Sequence, residues 1–157
     1  MTNELHILSE VTIAMLLGGL IGLEREAADK PAGLRTHMLV AATAALLVGL
    51  SDALVQSFNA AAGTRLDSDP IRIVQAIVLG IGFLGAGTII QRRGAEHIEG
   101  LTTGASLLLA AALGICVAVR QLVLAAGTAL LALVVLVLLG RMEKWLAARR
   151  QRREAPR

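Results

Sequence analysis

Five long apolar blocks separated by short charged stretches constrain this chain more than any other feature. They cover about residues 5–23, 37–55, 71–90, 101–119 and 122–140. A bilayer core takes roughly 20 apolar residues per helix, and each block meets that length. The apolar positions do not recur at amphipathic spacing, as they would on a helix packed against one soluble core. With 55% hydrophobic residues in 157 and a mean hydropathy of +0.70, almost nothing remains for a soluble domain. The expected fold is therefore all-α: a polytopic membrane bundle of five transmembrane helices. It comprises a transmembrane domain over residues 1–145 and a basic tail over 146–157.

The formal charge of +3 might be taken for a nucleic-acid signature. The basic residues, however, flank the apolar blocks, and two Phe and one Trp are too few to stack bases. Their distribution follows the positive-inside rule instead. Arg25, Lys30 and Arg35 follow the first block, and Arg92 and Arg93 follow the third. Arg141, Lys144, Arg149, Arg150, Arg152, Arg153 and Arg157 follow the fifth. The opposite side holds only Arg65, Arg72 and Arg120. This asymmetry places the N-terminus outside and the C-terminus in the cytoplasm, as an odd number of crossings requires. The N-terminal segment has no basic region of the secretory type, so the first helix is expected to stay as an anchor. The single Cys116 excludes an intrachain disulfide and is expected to be a packing residue.

The densest small-residue stretch is Gly80-Ile81-Gly82-Phe83-Leu84-Gly85-Ala86-Gly87. Gly80, Gly82 and Gly85 match a dinucleotide-binding fingerprint in their letters. That fingerprint needs a strand before it and a soluble βαβ unit around it, and neither is present. Membrane helices associate by close backbone approach across small residues. Gly18 with Gly22, Gly82 with Ala86, and Gly100 with Gly104 form small-xxx-small pairs, and Ala111 and Ala118 continue the last stripe. The first, third and fourth helices are accordingly expected to form the packed centre, with Gly80, Gly82, Gly85, Gly87 and Gly100 at the contacts. The fifth, dominated by Leu and Val, is expected to face lipid, with Trp145 at the interface. The longest loop, roughly residues 56–70, ends in Asp69-Pro70, a helix-starting pair.

Ionisable groups within membrane helices are costly and mark candidate functional positions. Glu10, Asp52, Arg72 and Gln75 lie toward the outer side. Two readings stand for them. Arg72 would pair with Glu10 or Asp52 as a structural clamp. Alternatively, Glu10, Asp52, Asp67 and Asp69 would form an acidic vestibule for a weakly held magnesium ion, which prefers carboxylate oxygens and keeps several waters. On the cytoplasmic side, four helix ends bring Glu24, Arg25, Glu26, Arg35, Thr36, His37, Thr102 and Thr103 to one face. A Glu–Arg pair there would be partly desolvated and costly to break, while the threonines would bond back to helix carbonyls. No charged residue lies near the midplane of the last three helices, and there is no nucleophile–base pair or spaced metal-ligand cluster. His6, His37 and His97 make no site by themselves. Enzymatic activity is not expected.

Gly22-Leu23-Glu24-Arg25-Glu26, Ala32–His37, Asp69-Pro70-Ile71-Arg72-Ile73 with Gln75, Gly80–Gly87, and Gly100–Thr103 with Ala105-Ser106 follow one another in a fixed order. Taken together, over roughly Met15 to Gly114, they resemble the MgtC/SapB family of bacterial inner-membrane proteins. Two positions depart from the family pattern: Gly104 stands where an Ala is usual, and Leu108 where a Trp is usual. Many members also carry a soluble C-terminal domain, whose functions are not carried over to this chain. The resemblance implies a multi-pass protein of the bacterial plasma membrane. Its implied links are to magnesium limitation, acid stress and, in pathogens, survival in the host. It also implies a modulator of other membrane machinery, such as the ATP synthase or a cation pump.

Two main functional readings follow, beside a third in which the chain is a purely structural homodimer with no ligand. The first is a non-enzymatic regulator that docks on a membrane-protein partner through small-residue and polar surfaces, with a homo-oligomer, such as a dimer, as a further expectation. The second is a channel or transporter for magnesium or another cation, fed by the outer carboxylates and by carbonyls of the glycine-rich third helix.

Overall fold

The computed structural model describes residues 2–62, 69–91 and 98–154. Five helices follow in chain order: α1 (Thr2–Ala27), α2 (Leu34–Ala62), α3 (Pro70–Gly87), α4 (Leu101–Ala118) and α5 (Leu122–Glu154). Between α3 and α4 the strands β1 (Ile90–Gln91) and β2 (Ile98–Glu99) pair antiparallel, with Ile90 opposite Glu99. Among the described residues all five helices are long and apolar enough to cross a membrane. Even the 18-residue α3 and α4 reach about 27 Å at the helical rise per residue, close to a hydrocarbon core of about 30 Å.

Local chemistry sets the helix ends. Asp69 precedes α3 and accepts a hydrogen bond from the Ile71 amide at 3.0 Å, with Pro70 in the first helical position. α4 ends through Arg120, whose φ of 60° turns the chain left-handed. The Gln121 amide then reaches the Cys116 carbonyl at 2.8 Å, the longer bond of a Schellman-type stop. α4 begins after Gly100, where φ is +92° and an added Cβ would stand 2.1 Å from the Thr88 carbonyl oxygen. Only glycine fits there.

Several boundaries depart from the sequence expectation. α2 continues to Ala62, because Gln56, Ser57 and Asn59 are polar but do not break a helix. The expected loop over 56–70 is therefore half helix, and its part over 63–68, with Arg65 and Asp67, lies outside the described residues. α3 stops at Gly87 rather than near residue 90: Thr88 follows it, and the Thr88 hydroxyl donates to the Gly85 carbonyl at 2.7 Å. The basic segment expected as a tail is helical to Glu154 as a direct extension of α5. On it the Arg149 guanidinium lies 3.8 Å from the centre of the Trp145 ring, one turn away.

The packed centre is α1, α2 and α4, not α1, α3 and α4. Buried Ala14 and Ile21 of α1 meet Ala41, Ala44 and Ala45 of α2 and Leu107, Ala110, Ala111 and Val117 of α4. A Cβ on Gly18 would fall 2.5 Å from the His37 carbonyl oxygen, on Gly22 2.7 Å from the Leu34 Cα, and on Gly114 2.2 Å from the Ala41 carbonyl oxygen. These are backbone-on-backbone approaches, the means by which helices associate where lipid removes the hydrophobic drive. α3 lies outside this centre. Gly85 meets Gly104, with an added Cβ at 3.3 Å from its Cα, but Gly80, Gly82 and Gly87 have nothing within 4 Å of a Cβ. The physical reason is that the alanines of α2 already fill the side of α4 that a glycine-rich helix would have occupied. α5 presents Leu130 and Leu131 outward and buries Ala125 and Ala129, as its composition predicts.

Candidate functional site

The registers above make α1 antiparallel to α2 and α4, and α2 parallel to α4. One face of the bundle therefore gathers the start of α1 and the α4–α5 turn. The opposite face gathers the α1–α2 turn, the start of α4 and the distal part of α5. Each face holds a polar cluster.

On the first face the buried Glu10 is 3.6 Å from the Arg120 Nε; the His6 Nε2 lies 2.9 Å from the same carboxylate and also beside the Arg120 guanidinium, and this one nitrogen either donates to Glu10 or accepts from Arg120. Arg120 is the left-handed residue of the turn, so this ion pair ties α1 to the turn that starts α5. The sequence reading offered Glu10 or Asp52 as the partner of Arg72. Instead, Arg72 pairs with Asp69 at 3.6 Å on the exposed start of α3, because the α3 N-terminus reaches its own capping carboxylate first. Gln75 is exposed on α3, and Asp52 lies on α2 with its side chain outside the description. Among the described residues no group of His, Cys, Asp and Glu side chains is placed to hold a metal ion.

On the second face Arg25 Nε donates to the Glu24 carboxylate at 2.6 Å, and the Arg25 side chain is only 5% exposed. Glu26 accepts from the Leu34 amide at 2.8 Å and so caps α2 from the end of α1. Gly33 lies inside that turn, where an added Cβ would stand 2.8 Å from the Glu26 carboxylate oxygen and would push that side chain aside. Arg35 and Thr102 are exposed, Thr36 is half-buried, and Thr103 is buried. The structure thus brings Glu24, Arg25 and Glu26 together as a working unit around the turn.

The sequence reading missed one connection. His37 is fully buried; its Nδ1–H donates to the Gly33 carbonyl at 2.9 Å, and its Nε2 lies 3.0 Å from the Ser106 Oγ. Ser106 Oγ is in turn 2.9 Å from the Thr103 carbonyl oxygen. One hydroxyl proton serves two acceptors, so this contact couples α2 to the first turn of α4 through a single hydrogen. The available signal was a His and a Ser in separate apolar blocks, each costly in lipid unless they meet.

Taken together, these features define a polytopic helical membrane protein whose described buried polar side chains bond to helix backbone and to one another. The chain belongs to the MgtC family, whose sequence model matches residues 11–145. It is 34% identical over 151 residues to an uncharacterised protein of Haemophilus influenzae, which covers 96% of this chain and 63% of that one. It is 38% identical over 120 residues to the putative magnesium transporter YhiD of Escherichia coli K12, covering 74% of this chain and 52% of the relative. It is 46% identical over 102 residues to protein MgtC of Brucella abortus, covering 65% and 38%. The chain thus spans less than two thirds of the length of these relatives. No solved structure matches it.

Proposed function

We propose that this MgtC-family protein is a non-enzymatic modulator of other membrane machinery, working in the bacterial inner membrane under magnesium limitation or acid stress. The observation that carries this reading is how the charges are used. Glu10 is engaged by Arg120 and His6, and Glu24 by Arg25. Between these clusters the interior is closed by Ala14, Ala41, Ala110, Ala111 and Leu113, each no more than 1% exposed. Ion pathways through membranes are marked by ionisable residues facing a polar cavity, and this interior offers none among the described residues. In this reading the N-terminus is outside and the C-terminus cytoplasmic, following the basic asymmetry of the sequence. The partner is another integral membrane protein, such as an ATP synthase or a cation pump, and the protein works as a homo-oligomer.

Transport is the second reading, favoured by the name of the Escherichia coli relative, a putative magnesium transporter. Magnesium flux into liposomes holding the folded, inserted protein separates the two. The modulator reading expects no flux above empty liposomes, with Glu10→Gln and Asp52→Asn indistinguishable from the parent. Saturable flux lost in both variants overturns it and makes the outer carboxylates an entry site.

A further inference from the structure

The second face contains a cavity that neither proposed activity uses. It has a volume of about 520 Å³ and lies between the end of α1, the start of α4 and the distal half of α5. Arg25, Lys30 and Arg141 line it, with Glu24 the acidic member. Glu24 is bonded to Arg25, so the lining keeps an excess of positive charge. Arg25 and Glu24 cancel within this pair, and the excess is carried by Lys30 and Arg141, whose side chains stand beside a low-dielectric wall that strengthens their pull on an anion.

The start of α4 adds to this. Gly100 provides no side-chain cap to α4, whose first turn carries no acidic residue. The first amides of a helix lack intrahelical acceptors and carry the positive end of its dipole. Thr102, in that first turn, lines the cavity. Thr102 is the contribution of α4 to the lining, so a residue of its first turn stands beside Lys30 and Arg141. An ammonium, a guanidinium and a threonine together supply the kind of donors that hold tetrahedral oxyanions.

The remaining wall is apolar and belongs to α5, around Leu136 and Leu139. Half of the site therefore suits an anion, and half suits hydrocarbon. The geometry points to a binding site for a phosphate-bearing anion, either an anionic phospholipid headgroup with its chains along α5 or a free phosphate. Binding there would bridge α1, α4 and α5 at the face that carries the Glu24–Arg25 pair, giving the bundle a ligand-dependent clamp.

Removing Arg25 would leave Glu24 unpaired and endanger the fold, so the test uses the exposed pair. Native mass spectrometry of the full chain is run with phosphatidylglycerol and phosphatidylcholine in competition. A parallel arm follows the thermal midpoint of the delipidated protein against inorganic phosphate. The variants are Lys30→Gln with Arg141→Gln and, as a charge-matched control on the same face, Arg35→Gln with Arg149→Gln. The expected result is a roughly thirtyfold loss of phosphatidylglycerol preference in the cavity variant, about fivefold per basic residue, with the control unchanged. If lipid preference is absent but phosphate raises the midpoint of the parent and not of the cavity variant, the site stands with free phosphate as its ligand. An equal loss in the control, or no dependence of either probe on Lys30 and Arg141, overturns the site.

Discussion

Ser106 illustrates how much one small polar residue can hold in an apolar setting. Ser106 is 4% exposed, and its hydroxyl supports a histidine with no exposure at all. Ser106→Ala would leave His37 Nε2 buried without a partner, at a cost of about 1–3 kcal/mol. Ser9→Ala, by contrast, removes an exposed hydroxyl bonded only to a carbonyl of its own helix, and should stay within about 0.5 kcal/mol of the parent. Thermal midpoints of the two variants in nanodiscs check this, and a Ser106→Ala midpoint equal to that of Ser9→Ala would contradict the coupling. At this scale the sequence was partly legible. The Glu24–Arg25 pair and the Asp69 cap could be read from charge order and from Asp-Pro spacing. The His37–Ser106 bond could not, because 69 residues separate its members and nothing local pairs them. Of the two partners expected for Arg72, Glu10 is taken by Arg120 on the neighbouring turn, and Arg72 lies beside Asp69, three residues away.

The glycine-rich α3 shows where composition misleads about elements. Counting small residues placed α3 at the centre, yet its glycines face one neighbour at a single point, Gly85 against Gly104. α2, with fewer glycines, forms the centre because alanines 41, 42, 44 and 45 make a flat face that α1 and α4 both approach. Five helices were legible from block length alone; which of them touch was not, since lipid and protein are equally apolar neighbours for Leu or Ala. The difference yields a paired prediction. Gly85→Leu should separate α3 from α4 and lower both the folded yield and the thermal midpoint. Gly82→Leu, pointing into open space within one chain, should leave the monomer's midpoint unchanged. Crosslinking between cysteines placed on α3 and α4 reads the separation directly. Equal behaviour of the two variants would mean that the Gly85–Gly104 contact does not hold the helix. Loss of an oligomer in Gly82→Leu alone would assign the free glycine face of α3 to a second copy.

For the whole molecule, the bundle is closed at each face by ion pairs and between them by alanine. Helix ends obey local capping rules and could be placed to within a few residues where Asp, Pro or Gly marks them. They ran long where the chain is polar but unbroken, as at Gln56–Asn59 and along the basic extension of α5. The proposed function rests on one feature of the bundle: among the described residues its centre is closed by alanine and leucine with no polar cavity between the two faces. Substituted-cysteine accessibility tests this most directly. In a Cys116→Ala background, single cysteines at Ala14, Ala41 and Ala110, with Leu130 as the lipid-facing control and Arg35 as the exposed one, are challenged in membranes with a charged thiol reagent from each side. Reaction at position 35 alone is the expected result. Modification at positions 14, 41 and 110, protected by magnesium, would reveal a water-filled route through the centre and contradict it.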